Sequence, residues 1–159
     1  MRKRPSFWLK CSCLLIVLVT LPAYAAELSG MVMHVADGDT ITVRLDNGID
    51  ETVRLIGLDC PEMKSRGKGK AAAWAARDFL VDNYQGKKVI LKTDPAGAKN
   101  GHRGSFKRLL AYAYLADDDK SLQERLLAAG HCKVLAKYPY DGKMREKLKA
   151  AWKNGRSDK

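Results

Sequence analysis

Hydrophobic and polar positions along this chain follow two rhythms, one alternating and one helical. Residues 27–35 alternate loosely, as a strand does. Residues 40–45 alternate clearly and are rich in β-branched side chains, which suit a pleated, half-buried surface. Asp46-Asn47-Gly48 is a turn signal, because these residues tolerate positive φ. Residues 52–58 read as the next strand, so the early chain predicts a three-stranded meander.

Helical spacing comes next. Over residues 71–84, Ala72, Ala75, Ala76, Phe79 and Leu80 keep one face, and Gly86 marks the end. Residues 88–92 predict a fourth strand, 94–105 an exposed loop by composition, and 109–115 a fifth strand. Ser121 with Glu124 is a capping box, opening a helix through Leu126, Leu127 and Ala128 that Gly130 closes. A short strand at 133–135 follows. Asp141 is placed to cap a last helix, with Met144, Leu148, Ala151 and Trp152 as its apolar stripe. Five strands with a helix between the third and fourth is the order of an OB-fold barrel. The expectation is an α+β chain, a five-stranded OB-fold β-barrel with about three helices, whose groove suits single strands.

The amino-terminal stretch stands outside both rhythms. Met1-Arg2-Lys3-Arg4 is charged and Lys10 follows. An apolar run from Cys11 to Leu21 ends in Ala23-Tyr24-Ala25-Ala26, the pattern of a secretory signal peptide. The run is short of the roughly 20 residues a membrane span needs. Residues 1–25 are therefore expected to be a signal peptide cleaved after Ala25, with Ala26 as the alternative, and the product to be periplasmic or secreted. No stable membrane association is expected after cleavage.

The 159 residues suit one domain. Without residues 1–25 the chain keeps 25 Lys and Arg against 18 Asp and Glu, a net charge of +7 over 134 residues. Such a surplus suits a polyanionic partner, though charge alone does not separate nucleic acid from a membrane surface. Cys60 and Cys132 remain, and a cysteine pair in an oxidising compartment more often bridges than not; the alternative is two buried free thiols. Neither has a second Cys or a His at zinc-ligand spacing.

Within this basic chain, Asp39, Asp59 and Glu62 form a small acidic set flanked by Arg54 and Arg108. Oxygen-only donors fit Ca²⁺ or Mg²⁺ better than zinc, and arginines fit phosphodiester oxyanions. Read alone, Asp37-Gly38-Asp39-Thr40 is an ordinary turn. Asp59-Cys60-Pro61-Glu62 read alone is as good a helix start as a site. Strand parity puts Arg54 and Leu58 on one face and Asp59 on the other, unless the strand bends. Gly57 is the residue that would allow such a bend.

Four segments carry a resemblance. They are Val35-Ala36-Asp37-Gly38-Asp39-Thr40, Val53-Arg54-Leu55-Ile56-Gly57-Leu58-Asp59-Cys60-Pro61-Glu62, Arg108-Leu109-Leu110-Ala111-Tyr112-Ala113-Tyr114, and Leu126-Leu127-Ala128-Ala129-Gly130 leading into Lys133-Val134. In this order and spacing, residues 30–153 resemble the thermonuclease, or staphylococcal nuclease-like, family, with the domain taken as residues 26–159. The resemblance implies that Asp39 and Asp59 bind calcium, with Mg²⁺ an alternative, and that the Cys60 carbonyl completes the shell. It implies that Glu62 activates or orients the attacking water, that Arg54 and Arg108 grip the scissile phosphate, and that Asp37 stands behind the metal ligands. A disulfide Cys60–Cys132 clamping the metal loop follows from the expected fold. The chain departs from the family at Gly104-Ser105-Phe106-Lys107, where an Asp, a Lys, a Tyr and a Gly are common. Phe106 can still stack on a base or sugar, and Arg103 is a candidate substitute phosphate ligand. Tyr138 and Tyr140 partly match an aromatic pair, with loop packing and substrate contact about even.

The implied function is a Ca²⁺-dependent, monomeric endonuclease cutting DNA and RNA with little sequence preference and leaving 3′-phosphates. Two rivals differ in class. A catalytically weak OB-fold nucleic-acid-binding module is supported only by the altered loop before Arg108. A basic protein of the periplasm that binds lipopolysaccharide or membrane has no need of Asp39, Asp59 and Glu62 together.

Overall fold

A computed structural model describes residues 27–135 and 137–157. The expected signal peptide lies outside the described residues. Among them, no helix is long and apolar enough to cross a membrane.

Five strands close into a barrel: β1 (Glu27–Asp37), β2 (Thr40–Leu45), β3 (Asp50–Leu55), β5 (Lys88–Thr93) and β6 (Leu109–Leu115). The order around the barrel is β1-β2-β3-β6-β5, and β1 pairs back onto β5. Neighbours are antiparallel except β3 and β6, which run parallel and complete the closure. β1 serves both halves, pairing with β5 through residues 27–31 and with β2 through residues 30–37. Register shifts between Val32 and His34 and between Val35 and Asp37 bend it around the barrel.

The alternation read from sequence becomes the inside and outside of this barrel. Ile41, Val43, Val53, Leu55, Leu109, Ala111 and Ala113 point inward and are buried. Three helices cover the barrel: α1 (Lys68–Tyr84), α2 (Leu122–Ala128) and α3 (Gly142–Ser157). α1 packs on β1, and α2 packs on β6 and α3. Leu80, Leu122, Leu126, Leu127 and Leu148 join the barrel interior in one apolar core. The capping box forms as read: the Ser121 hydroxyl accepts from the Glu124 amide, and Glu124 accepts from the Ser121 amide. Asp141 accepts from the Met144 amide at 2.9 Å and caps α3.

Two elements differ from the sequence reading. α1 begins at Lys68 rather than 71, so part of the basic glycine loop is helical. The third strand ends at Leu55 rather than 58, because Gly57 turns the chain at φ 80°. The chain resumes as β4 (Leu58–Asp59), which pairs with β7 (Lys133–Val134) as a separate two-stranded ribbon. Gly57 is required there twice over. An L-residue resists that φ, and a Cβ would stand 2.5 Å from Leu148 Cδ1.

Candidate active site

The end of β1 with the turn into β2, the ends of β3 and β4 and the segment entering β6 surround a cavity of about 670 Å³. Asp37, Asp39, Arg54, Asp59, Cys60, Glu62 and Arg108 all lie on its wall, as do Phe106, Tyr138 and Tyr140. Every candidate residue read from the sequence is thus at one place.

Each is positioned by its element. Asp37 ends β1 and its carboxylate accepts from the Asp39 amide at 3.1 Å, which folds the Asp37-Gly38-Asp39 turn. Asp39 is 5% exposed, accepts from the Thr40 hydroxyl at 3.0 Å and forms an ion pair with Arg54. Thr40 and Arg54 are register partners across β2 and β3, and both lie off the inward face. Across the other edge of β3, Arg54 is paired with Leu110, two positions beyond Arg108. The parallel β3–β6 contact therefore brings both arginines to one rim. Arg108 Nη1 donates to the Thr40 hydroxyl at 3.2 Å and Nε to the Ser105 carbonyl at 3.2 Å.

The doubt that strand parity raised about Arg54 and Asp59 is resolved by the Gly57 turn. Arg54 Nη2 donates across that turn to the Leu58 carbonyl at 3.1 Å. Burial, then the charge of Arg108, push the Arg54 guanidinium below its ordinary value, while Asp37, Asp59 and Glu62 pull it up. A guanidinium does not give up its proton in a protein, so Arg54 stays charged. Asp59 and Glu62 are exposed, and among the described residues neither carboxylate takes a hydrogen bond or an ion pair.

Asp39, Asp59 and a main-chain carbonyl at Cys60 are hard oxygen donors, and the set fits Ca²⁺ or Mg²⁺. Among the described residues no three Asp, Glu, His or Cys side chains converge at ligand spacing, so water would complete any such shell. The Cys60 side chain is turned away from this duty. Its sulfur meets that of Cys132, with the Cα atoms 4.4 Å apart, tying the Asp59–Glu62 turn to the chain just before β7.

The loop before Arg108 is held by contacts that the sequence did not reveal. Arg103 pairs through two nitrogens with the Glu51 carboxylate, and its Nη1 also donates to the Lys107 carbonyl at 3.0 Å. It anchors the loop, and where it lines the cavity its guanidinium is engaged with Glu51. Buried Asp94 ties more of the wall together: it accepts from the Tyr112 hydroxyl at 2.5 Å, the Ala96 amide at 2.8 Å and the Asp141 amide at 2.8 Å. Burial, and then that bond to Asp94, hold the Tyr112 phenol well above its ordinary pKa. Phe106 is 90% exposed at the rim, with Arg108 5.5 Å from its ring centroid. The two tyrosines separate. Tyr138 is exposed at the lip, whereas Tyr140 is buried over Gly57 with Arg145 stacked 4.7 Å from its ring.

The sequence profile described as "Staphylococcal nuclease homologue" matches residues 52–159. The chain is 33% identical to endonuclease YncB of Bacillus subtilis strain 168 over 128 residues, 77% of this chain and 56% of that protein. It is 36% identical to the thermonuclease of Staphylococcus intermedius over 91 residues, 57% of this chain and 51% of that one. An uncharacterized endonuclease of Escherichia coli O157:H7 is 28% identical over 128 residues, 80% of this chain and 74% of that protein. The chain spans about half the length of the first two relatives. With the barrel, the clustered arginines and carboxylates and the profile match together, this chain belongs to the staphylococcal nuclease homologue family.

Proposed function

We propose that this chain is a nuclease that hydrolyses phosphodiester bonds of DNA and RNA, with Ca²⁺ or Mg²⁺ bound at Asp39, Asp59 and the Cys60 carbonyl. The supporting observation is the meeting of Arg54, Arg108, Asp39, Asp59 and Glu62 on one cavity wall. The relatives named endonuclease and thermonuclease point the same way.

Arg54 and Arg108 bind the non-bridging oxygens of the scissile phosphate and offset the charge that builds there. Glu62 accepts a hydrogen bond from water and takes its proton as the oxygen attacks phosphorus. The P–O5′ bond breaks, and the 5′-oxygen leaves with a proton from solvent, so the phosphate stays on the 3′ side. Asp39 has a second task, since its ion pair fixes Arg54. A divalent cation bound here would supply positive charge to the phosphate and a site for the water. The wall contacts the sugar-phosphate chain with few groups able to read bases, which suits low sequence preference. We further propose export in monomeric form, with Cys60 and Cys132 bridged.

The test is plasmid DNA and a structured RNA incubated with purified protein, with Ca²⁺, with Mg²⁺ and with chelator. Cleavage with cation and none with chelator is expected. Intact nucleic acid in every lane would overturn the enzyme reading and leave a binding module, which retention of DNA on a gel would reveal. Glu62→Gln is expected to lower turnover by about 10²–10⁴-fold while DNA affinity holds. An unchanged rate removes Glu62 from the mechanism.

A further inference from the structure

Between Glu62 and Asp78 the chain carries Lys64, Arg66, Lys68, Lys70 and Arg77 and no acidic residue. The four lysines and arginines before α1's second turn are exposed. In the same stretch Trp74 is 43% exposed and takes no part in the apolar core. Lys70, Trp74 and Arg77 are spaced i, i+4 and i+7 and so line one flank of α1. They lie beside its buried face of Ala73, Ala76 and Leu80.

This flank is fixed, and the chain leading into it starts at the cavity wall with Lys64. The Arg77 guanidinium lies 5.4 Å from the Trp74 ring centroid, its Nε donates to the Val35 carbonyl at 3.2 Å, and Nη1 reaches Asp78 at 3.4 Å. Val35 lies two residues before Asp37. The Ala76 methyl stands 2.8 Å from where a Cβ on Gly38 would be. From the other side, the Ser65 amide donates to the Glu62 carbonyl at 2.9 Å, so the basic turn begins at the cavity lip.

A planar ring held by a cation, at the end of a positive track that starts beside Glu62, matches how single strands are gripped. The backbone follows charge, and bases stack on aromatic faces. We propose that Trp74, with Lys70 and Arg77, is a stacking subsite for single-stranded nucleic acid flanking the bond that is cut. This rests on the nuclease reading for its substrate.

The probe is a fluorescein-labelled oligothymidylate of about twelve nucleotides, with a thymidine dinucleotide as the short control. By anisotropy in chelator, Trp74→Ala is expected to weaken binding of the long probe about tenfold, within the range for loss of one stacked base. Trp74→Phe should restore most of it, and dinucleotide binding should not change. In cleavage, KM for the long substrate should rise while kcat holds. Equal affinity of Trp74→Ala and wild type for the long probe overturns the subsite, as does equal loss on both probes. Stacking through Trp74 without any cleavage would sink the nuclease reading and keep the subsite. Normal cleavage with an unchanged KM in Trp74→Ala would do the reverse.

Discussion

Single residues carry the backbone strain beside this site. His102, Phe106 and Lys107 all have φ near 58°, in the left-handed region. That conformation costs an L-residue about 1–2 kcal/mol. Arg103, clasped to Glu51 and the Lys107 carbonyl, helps to offset it. Lys107→Gly should relieve the strain, and glycine's greater freedom in the unfolded chain takes back about 0.4–1 kcal/mol. A net gain of about 0.5–1 kcal/mol is expected, read as a higher urea midpoint at unchanged slope. A lower midpoint would mean the lysine side chain makes a stabilising contact of its own. Asp39, Asp59, Glu62, Arg54 and Arg108 were expected together through the family resemblance rather than from their charges or spacing alone, and they do share one cavity wall. The anchoring of Arg103 was not legible because its partner, Glu51, lies far away along the chain. Tyr138 and Tyr140 were inseparable in the sequence. Only packing over Gly57 assigns one of them to the core and leaves the other at the lip.

Among the elements, the break between β3 and β4 matters most. Apolar residues ran on through Leu58, and the slip in alternation that buries both Leu55 and Leu58 is a single step, too short to mark a change of direction. Gly57 alone hinted at it. The turn gives the Asp59–Glu62 segment a new partner in β7 and lets Arg54 reach across to the Leu58 carbonyl. Gly57→Ala combines the left-handed cost with a forced contact on Leu148, a loss of about 2–4 kcal/mol. Thermal unfolding should show it directly. Activity should fall further than the folded fraction does, because the displaced β4 carries Asp59. Loss of stability with full specific activity would show that α3 yields instead and leaves the site in place. Other elements were readable for a simple reason. The capping box and the alternation in β2 are local signals, whereas the β4–β7 ribbon is made by residues far apart in sequence.

For the molecule as a whole, the Cys60–Cys132 contact joins the cavity loop to the late part of the chain across 72 residues. Closing so long a loop removes freedom from the unfolded chain worth about 4 kcal/mol. A domain of this kind has only about 5–15 kcal/mol in total. Reductant, or the Cys60→Ser and Cys132→Ser pair of substitutions, should therefore lower the urea midpoint sharply. Equal midpoints with and without reductant, together with two titratable thiols, would exclude the bridge. The barrel order was legible from strand count and helix position. The parallel pairing of β3 with β6 that closes it was not, because β4, α1 and β5 lie between the two in sequence.

On the proposed nuclease function, that closure sets when the molecule can first do harm. Arg54 is held in β3 and Arg108 stands at the mouth of β6, so the two meet only after the chain has been made past Leu115 and β6 has found its place. A growing chain emerges from a ribosome, a particle built largely of RNA. On the proposed nuclease reading, a chain whose last barrel strand is not yet out holds only one half of the proposed phosphate grip and cannot close on the machine that is making it.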